Sequence, residues 1–356
     1  MSQSHKKASK KKNRSRRRKQ KRGLCFGDRP LLETNAAAID VGARELWVAL
    51  PPGRDEQTVR VFDTFTDDLQ QLVQWLIQCG ITTVAMESTG VYWIPIYELL
   101  ELNGIKACLV NSRHMKNVPG RRTDWHECQW LQYLHSVGLL RSAFRPPEQI
   151  CAMRAIMRQR GQLVQMACQH VQHMHKALTQ MNLQIHHVID DITGLTGLAI
   201  VDAILGGQRD AAELAKLRHF RIKADPETIR KSLVGTWRQE HLFTLKQSRE
   251  MYGSFQRQIA ECDQEIQRLL QAFEAKVDPE VKPLPPDRKK KRRRSNRDTE
   301  SGFNLRTEMY KMFGVDVTQI PGLESLSVSL FTEIGRDLLR FPRATMFCVL
   351  APAVPG

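Results

Sequence analysis
Three strand-like runs follow one another almost without a break near the start of the chain, at residues 36–41, 44–50 and 58–64. Pro51-Pro-Gly-Arg54 marks the longer of the two turns between them. Links this short permit only antiparallel neighbours, because a parallel crossover needs about a dozen residues or more. The pattern then changes period. Leu69, Leu72, Val73, Trp75 and Leu76 recur at helical spacing across 67–79. Ile81-Thr-Thr-Val-Ala-Met86 reads as a buried strand ending at Glu87, and Ser88-Thr-Gly90 can cap a helix over 91–103. Residues 105–110 form another strand, and a further helix starts near Asp124. The order β-β-β-α-β-α-β-α therefore joins an antiparallel meander to strands that are linked through helices and so run parallel.

That order matches the ribonuclease-H-like α/β layout, and within it Asp40 is out of place. It stands in the middle of the first strand, where carboxylates are depleted and costly to bury alone. Glu87 closes a strand that such a sheet puts beside the first. Asp124 and Glu127 are three apart, so one helix face carries both. Four carboxylates converging at one sheet edge repel each other unless cations sit among them. Hard divalent ions take oxygen ligands, and Mg²⁺ (or Mn²⁺) is expected to use a few carboxylates plus substrate phosphates. Such ions activate water or a hydroxyl and stabilise a leaving oxygen in phosphodiester chemistry. Each residue has a plainer alternative. Asp40 could flank a turn, Glu87 could favour a helix N-terminus, and Asp124 with Glu127 could be a capping pair. Arg121 and Arg122 could hold a scissile phosphate or merely belong to a solvated loop.

Charge is concentrated outside this region. The formal balance is +16 over 356 residues, yet residues 1–22 hold 12 Lys/Arg and no acid, and residues 287–297 hold 8 Lys/Arg beside Asp287. These two runs carry +19, so the rest of the chain is slightly acidic at −3. Dense basic runs are solvated tails or linkers by default; functionally, they bind phosphates through counterion release. The eight cysteines include no C-x-x-C pair, which reads as a reducing compartment rather than a disulfide framework or zinc site. No signal-peptide pattern and no apolar run of about 18 residues occurs, so the expectation is a cytoplasmic, nucleoid-associated protein without membrane contact.

A second region is helical. Phe255, Ile259, Cys262, Ile266, Leu269 and Phe273 alternate steps of four and three, and Leu163, Ala167, Val171, Met174 and Leu178 do much the same. The pair reads as an antiparallel coiled-coil arm, as a dimerising one, or as an ordinary bundle. His170, His173 and His175 with Cys168 do not share one face and read as a polar helix surface, as does His186-His187. Trp125 and Trp130 read as packing residues. The expected domain plan is a basic disordered tail (1–34), a catalytic domain (35–147), a helical coiled-coil arm with an insert (148–275), a Pro-rich and basic linker (276–303), and an incomplete helical end (304–356).

Ala38-Ile-Asp-Val-Gly42, Met86-Glu-Ser-Thr-Gly90 and Gly120-Arg-Arg-Thr-Asp-Trp-His-Glu-Cys-Gln-Trp130 resemble the three acidic blocks of the DEDD-type insertion-sequence transposases. Ile192-Thr-Gly-Leu-Thr-Gly197, Leu233-Val-Gly-Thr-Trp-Arg238 and Ile320-Pro-Gly-Leu323 extend the resemblance. It implies a site-specific DNA recombinase with a RuvC-like N-terminal domain, in which Asp40, Glu87 and Asp124 fill the first three metal-ligand positions. Glu127 stands fourth, where the family has Asp; it keeps the charge and shifts the oxygens by about one methylene. The last block resembles half of a helix-hairpin-helix, whose turn at Gly322 would meet a phosphate.

The family further implies a structured guide RNA, a homo-oligomer (dimer or tetramer), and a C-terminal nucleophilic serine. The sequence ends at Leu350-Ala-Pro-Ala-Val-Pro-Gly356, where that serine segment is expected to begin. Ser325, Ser327 and Ser329 do not match it, so no nucleophile is assigned and the chain is expected to be C-terminally truncated. The expected function is therefore DNA transposition by a metal-bound acidic site. The alternatives are a non-catalytic nucleic-acid-binding remnant of a transposase and a RuvC-like Holliday-junction resolvase.

Overall fold
The computed structural model describes residues 30–88, 90–111, 124–286 and 302–319, with Phe331 and Gly335. Its chain divides into two compact units, residues 1–144 and 145–356. The basic runs, Arg121, Arg122, Gly322, Ser325, Ser327, Ser329 and the final Leu350–Gly356 segment lie outside the described residues.

The first unit is built on a five-stranded mixed sheet in the order β3-β2-β1-β4-β5. Its strands are β1 (Ala36–Val41), β2 (Glu45–Ala49), β3 (Val59–Asp63), β4 (Thr83–Glu87) and β5 (Lys106–Val110). β1, β2 and β3 pair antiparallel, whereas β4 pairs parallel with both β1 and β5. The α/β arrangement is that of a ribonuclease-H-like domain. Side-chain alternation divides β1 between two cores. Ala37, Ile39 and Val41 join Leu72, Leu76, Ile96 and Leu100 on the face covered by α1 (Thr66–Gln78) and α2 (Trp93–Leu102). Ala38 and Ala85 face the other way, against Leu131 and Leu134 of α3 (Asp124–Ser136). Small residues on that face let α3 approach the strands closely. Two polar side chains are buried by this approach and both find partners: Gln132 Nε2 donates to the Ala36 carbonyl at 2.9 Å, and His135 Nε2 lies 2.9 Å from Thr83 Oγ1.

The second unit is dominated by two 33-residue helices, α4 (Glu148–Gln180) and α8 (Gln239–Gln271), each about 50 Å long. They run antiparallel. Ile150 and Met153 share a core with Ile266 and Leu270, while Ala177 and Leu178 share another with Leu242 and Leu245. Phe255, Ile259 and Ile266 of the heptad seam are thus covered by α4 of the same chain.

Between the long helices stand α5 (Leu195–Leu205), α6 (Ala211–Lys216) and α7 (Pro226–Ser232). Asp210 and Asp225 cap the last two by accepting from Ala212 N–H and Thr228 N–H. α9 (Leu305–Phe313) lays Leu305, Met309 and Met312 onto the ends of α4 and α8. Just beyond it Asp316 is deeply buried, which opposes its ionisation. Hydrogen bonds from Arg306, Thr318 and Gln319 outweigh that burial and hold its carboxyl well below the ordinary range.

Two glycines in this unit predict opposite responses to alanine. A Cβ on Gly235 would sit 2.2 Å from the Met181 carbonyl oxygen, and the next residue's N–H donates to that same oxygen at 2.8 Å. The backbone cannot give way there without losing a hydrogen bond. Gly161, exposed within α4, has nothing within 4 Å of such a Cβ. Gly235→Ala is expected to cost about 1–3 kcal/mol by overpacking. Gly161→Ala should stabilise by about 0.5–1 kcal/mol through helix propensity. Urea unfolding followed by far-UV circular dichroism measures both, and equal effects of one sign would contradict the packing described.

Candidate active site
β1 brings Asp40 to the carboxyl-terminal end of the sheet, one residue after Ile39, which pairs with Met86 of β4. Glu87 follows Met86 and closes β4, so the two acids stand side by side in the parallel register. By alternation they share the face of Ala38 and Ala85, which is the α3 face. α3 runs back along β1, with Gln132 at Ala36, and this direction brings its first turn to the end where Asp40 lies. That turn carries Asp124 and Glu127, and the positive end of the helix dipole favours negative charge there.

One carboxylate oxygen from each of Asp40, Asp124 and Glu127 lies within 4.8 Å of the others. Asp124 is exposed, and Asp40 and Glu127 are half-buried, so the cluster opens to solvent on one side. Glu87 neighbours it in register but falls outside that group of three. Among the described residues this is the only such His/Cys/Asp/Glu group; Cys168, His170, His173 and His175 do not form one. His170 and His173 meet edge to face at 5.5 Å, and burial, with His173 beside it, pushes the His170 imidazole down.

The wall behind the acids is apolar. Cys128 is fully buried with Ala49 and Val59, and Trp47 and Trp125 pack around it. Its Sγ donates to the Trp125 carbonyl at 3.2 Å. Burial, with Asp40 and then Asp124 nearby, pushes the Cys128 thiol up to about 12. It is therefore an inert filler and no nucleophile. Trp125 and Trp130 pack inward, Trp130 against the Ala38 and Leu131 core. Sequence reasoning missed Cys128 as part of this wall, since a lone cysteine has no periodic signature. Its place one helical position after Glu127 was the available hint.

The donor chemistry fits a divalent cation. All three groups offer hard oxygens, and oxygens sharing one Mg²⁺ are at most about 4.2 Å apart at normal bond lengths. Small side-chain rotations would bring a 4.8 Å envelope to that span. The sheet order and the acids of β1 and α3 define a ribonuclease-H-like α/β domain with an acidic cluster at the carboxyl end of its first strand. Residues 37–183 match the family model of the IS110-type DEDD transposases, described as a transposase, and are thereby a DEDD-type transposase domain. A search of curated proteins found no match to the chain. Among the described residues no helix is long and apolar enough to cross a membrane.

Proposed function
We propose that the chain is an insertion-sequence transposase whose DNA chemistry takes place at Asp40, Asp124 and Glu127, with Glu87 at their side. The observation that carries this reading is the three-carboxylate cluster lying within a transposase-family domain. Asp40, Asp124 and Glu127 would hold Mg²⁺ or Mn²⁺, with Glu87 completing the shell when substrate phosphates arrive. The bound ion supplies Lewis-acid stabilisation and an activated oxygen nucleophile. The protein's own part is to fix the acids on a strand and on a helix that are locked together by Gln132 and His135. The apolar wall around Cys128 keeps water away from the back of the site, which strengthens the field of the carboxylates. Arg121 and Arg122 lie three and two residues before Asp124 in the sequence and would steer a phosphate.

The test is metal-dependent cleavage or joining of DNA carrying the element's ends. Activity with Mg²⁺ or Mn²⁺ that vanishes with a chelator supports the proposal. Chelator-insensitive activity overturns it, and binding without any cleavage under every metal tried overturns it in favour of a nucleic-acid-binding remnant. The family also leads us to expect a structured RNA and further copies of the chain as partners. Self-association would then use a surface other than the Phe255–Ile259–Ile266 seam, which α4 already covers.

Non-specific affinity should reside elsewhere, in residues 1–22 and 287–297, because these two runs carry more than the whole net charge. Deleting both is expected to flatten the dependence of log affinity on log salt, with each lost phosphate contact lowering the slope by about 0.7–0.9. Fluorescence anisotropy against a salt series measures this; an unchanged slope would assign the binding to the folded surface.

A further inference from the structure
The segment between α6 and α7 reads Leu217-Arg-His-Phe-Arg-Ile-Lys-Ala-Asp225, with three Lys/Arg and one carboxylate, Asp225, whose oxygens accept from Thr228 in capping α7. It is firmly held. Arg218 Nη1 donates to the Ala224 carbonyl at 2.8 Å and closes the two ends. His219 N–H donates to Thr196 Oγ1 at 3.0 Å, fastening the loop to α5, and Ile222 N–H donates to the His219 carbonyl. Ile222 and Ala224 pack inward against the core of the second unit. At the tip of this anchored turn, Phe220 is 77% exposed. Its ring lies 4.3 Å from that of His219, tilted by 35°, and the Arg221 guanidinium is 5.4 Å from its centroid. Arg221 and Lys223 are both exposed.

An isolated surface phenylalanine needs no explanation. A phenylalanine at the tip of a braced loop, flanked by Arg221 and Lys223 and with the loop's one acid, Asp225, engaged in the α7 cap, has the two components of a single-strand binding element. The ring offers a face on which an unpaired base can stack, and the cations meet the flanking phosphates. We propose that loop 217–224 binds a single-stranded segment of nucleic acid, with one unpaired base stacked on Phe220 and its phosphates on Arg221 and Lys223. This deepens the reading of the chain as a nucleic-acid enzyme and rests on it, but it concerns a loop of the second unit, whereas the acids belong to the first. Double helices bury their base faces and offer nothing to Phe220, so the element discriminates unpaired from paired strands.

The experiment uses the full chain at raised salt, where contacts from the basic runs weaken and stacking persists. Fluorescein-labelled oligo-dT and oligo-rU serve as single-strand probes and a random-sequence duplex as the paired one. Phe220→Ala is expected to lower affinity for the single strands by about ten- to a hundredfold and to leave duplex affinity unchanged, whereas Phe220→Trp retains it. A larger loss with oligo-rU than with oligo-dT would assign the site to RNA, and the reverse to DNA. Arg221→Ala with Lys223→Ala should weaken single-strand binding and lower its salt slope. Unaltered melting of Phe220→Ala, whose ring is already in solvent, separates binding from folding. Single-strand affinity unchanged in Phe220→Ala, or equal losses for duplex and single strand, overturns this inference. Metal-dependent cleavage in the same samples then reports separately on the proposed function.

Discussion
Replacing Arg160 with alanine is expected to destabilise the second unit by about 3–5 kcal/mol, the loss associated with stranding a buried charge. Arg160 and Asp263 face each other across the α4–α8 seam with side-chain exposures of only 7% and 8%. Arg160 Nε donates to Asp263 Oδ1 at 2.7 Å and Nη2 to Oδ2 at 3.4 Å, while Gly302 N–H donates to Oδ2 at 2.9 Å. The carboxylate thus ties both long helices to the segment that leads into α9. Asp263→Ala should also destabilise the unit, since it removes both hydrogen bonds to the Arg160 guanidinium and leaves Gly302 N–H without its acceptor.

The double replacement Arg160→Met with Asp263→Leu removes both charges together. It should recover most of the loss, because a packed apolar pair avoids the desolvation that an ion pair only offsets. The residual cost is the hydrogen bond from Gly302 N–H, about 0.5–1.5 kcal/mol, because Gly302 is exposed and water can take its place. Urea denaturation monitored by helix content reads all three variants. Single substitutions costing under about 1 kcal/mol, the range of a surface pair, would contradict the burial of this ion pair.

The same two residues show where sequence reasoning stopped. The heptad steps from Leu163 to Leu178 and from Phe255 to Phe273 were plain, because apolar residues at a fixed period can satisfy only one helix face. Extending the first seam toward the N-terminus reaches Arg160, and an arginine there reads as the start of a solvated surface. The opposing Asp263 helps make its burial tolerable, and 103 residues separate the two. A heptad seam also says that a helix has a partner without saying which. The dimerising reading and the intrachain pair have one and the same pattern, and α4 covers the α8 seam from within the chain.

The sheet was more legible because its constraints are local. The links between the first three strands are too short for anything but antiparallel pairing, and Asp40 stands out in a strand of Ala, Ile and Val. Asp124 and Glu127 were legible as neighbours on a helix, yet their meeting with Asp40 depends on how closely that helix lies on the sheet. The small side chains of Ala38 and Ala85 set that approach, and nothing in their periodicity announces it. Glu87 illustrates the limit of this reasoning. Register puts it beside Asp40, but register does not say where a flexible glutamate carboxylate points. Phe220 had no signature at all, since an irregular loop has no period to violate.

Replacing Asp40 with asparagine should move stability and activity in opposite directions. In the absence of divalent ions three carboxylates within 4.8 Å repel one another. Each pair at that distance costs about 1 kcal/mol at the dielectric of water and about 3–4 kcal/mol at an effective value of 20. The opening of the cluster to solvent places the true figure toward the lower bound. Asparagine keeps the shape and an acceptor oxygen but removes two repulsive pairs, so the metal-free variant is expected to be more stable than the parent by about 1–2 kcal/mol.

Adding Mg²⁺ should raise the melting temperature of the parent, because a ligand that binds only the folded state stabilises it, and should leave the variant nearly unmoved. Activity should fall at least about a thousandfold, since several kcal/mol of charge stabilisation are lost at about 1.4 kcal/mol per tenfold in rate. Differential scanning fluorimetry with and without Mg²⁺, run beside a cleavage assay, decides both halves. A variant that melts earlier than the parent without metal would show that Asp40 serves the fold. A variant that melts later, ignores Mg²⁺ and no longer cleaves DNA would mark Asp40 as a residue kept at a cost to stability, for the charge it brings to the strand end.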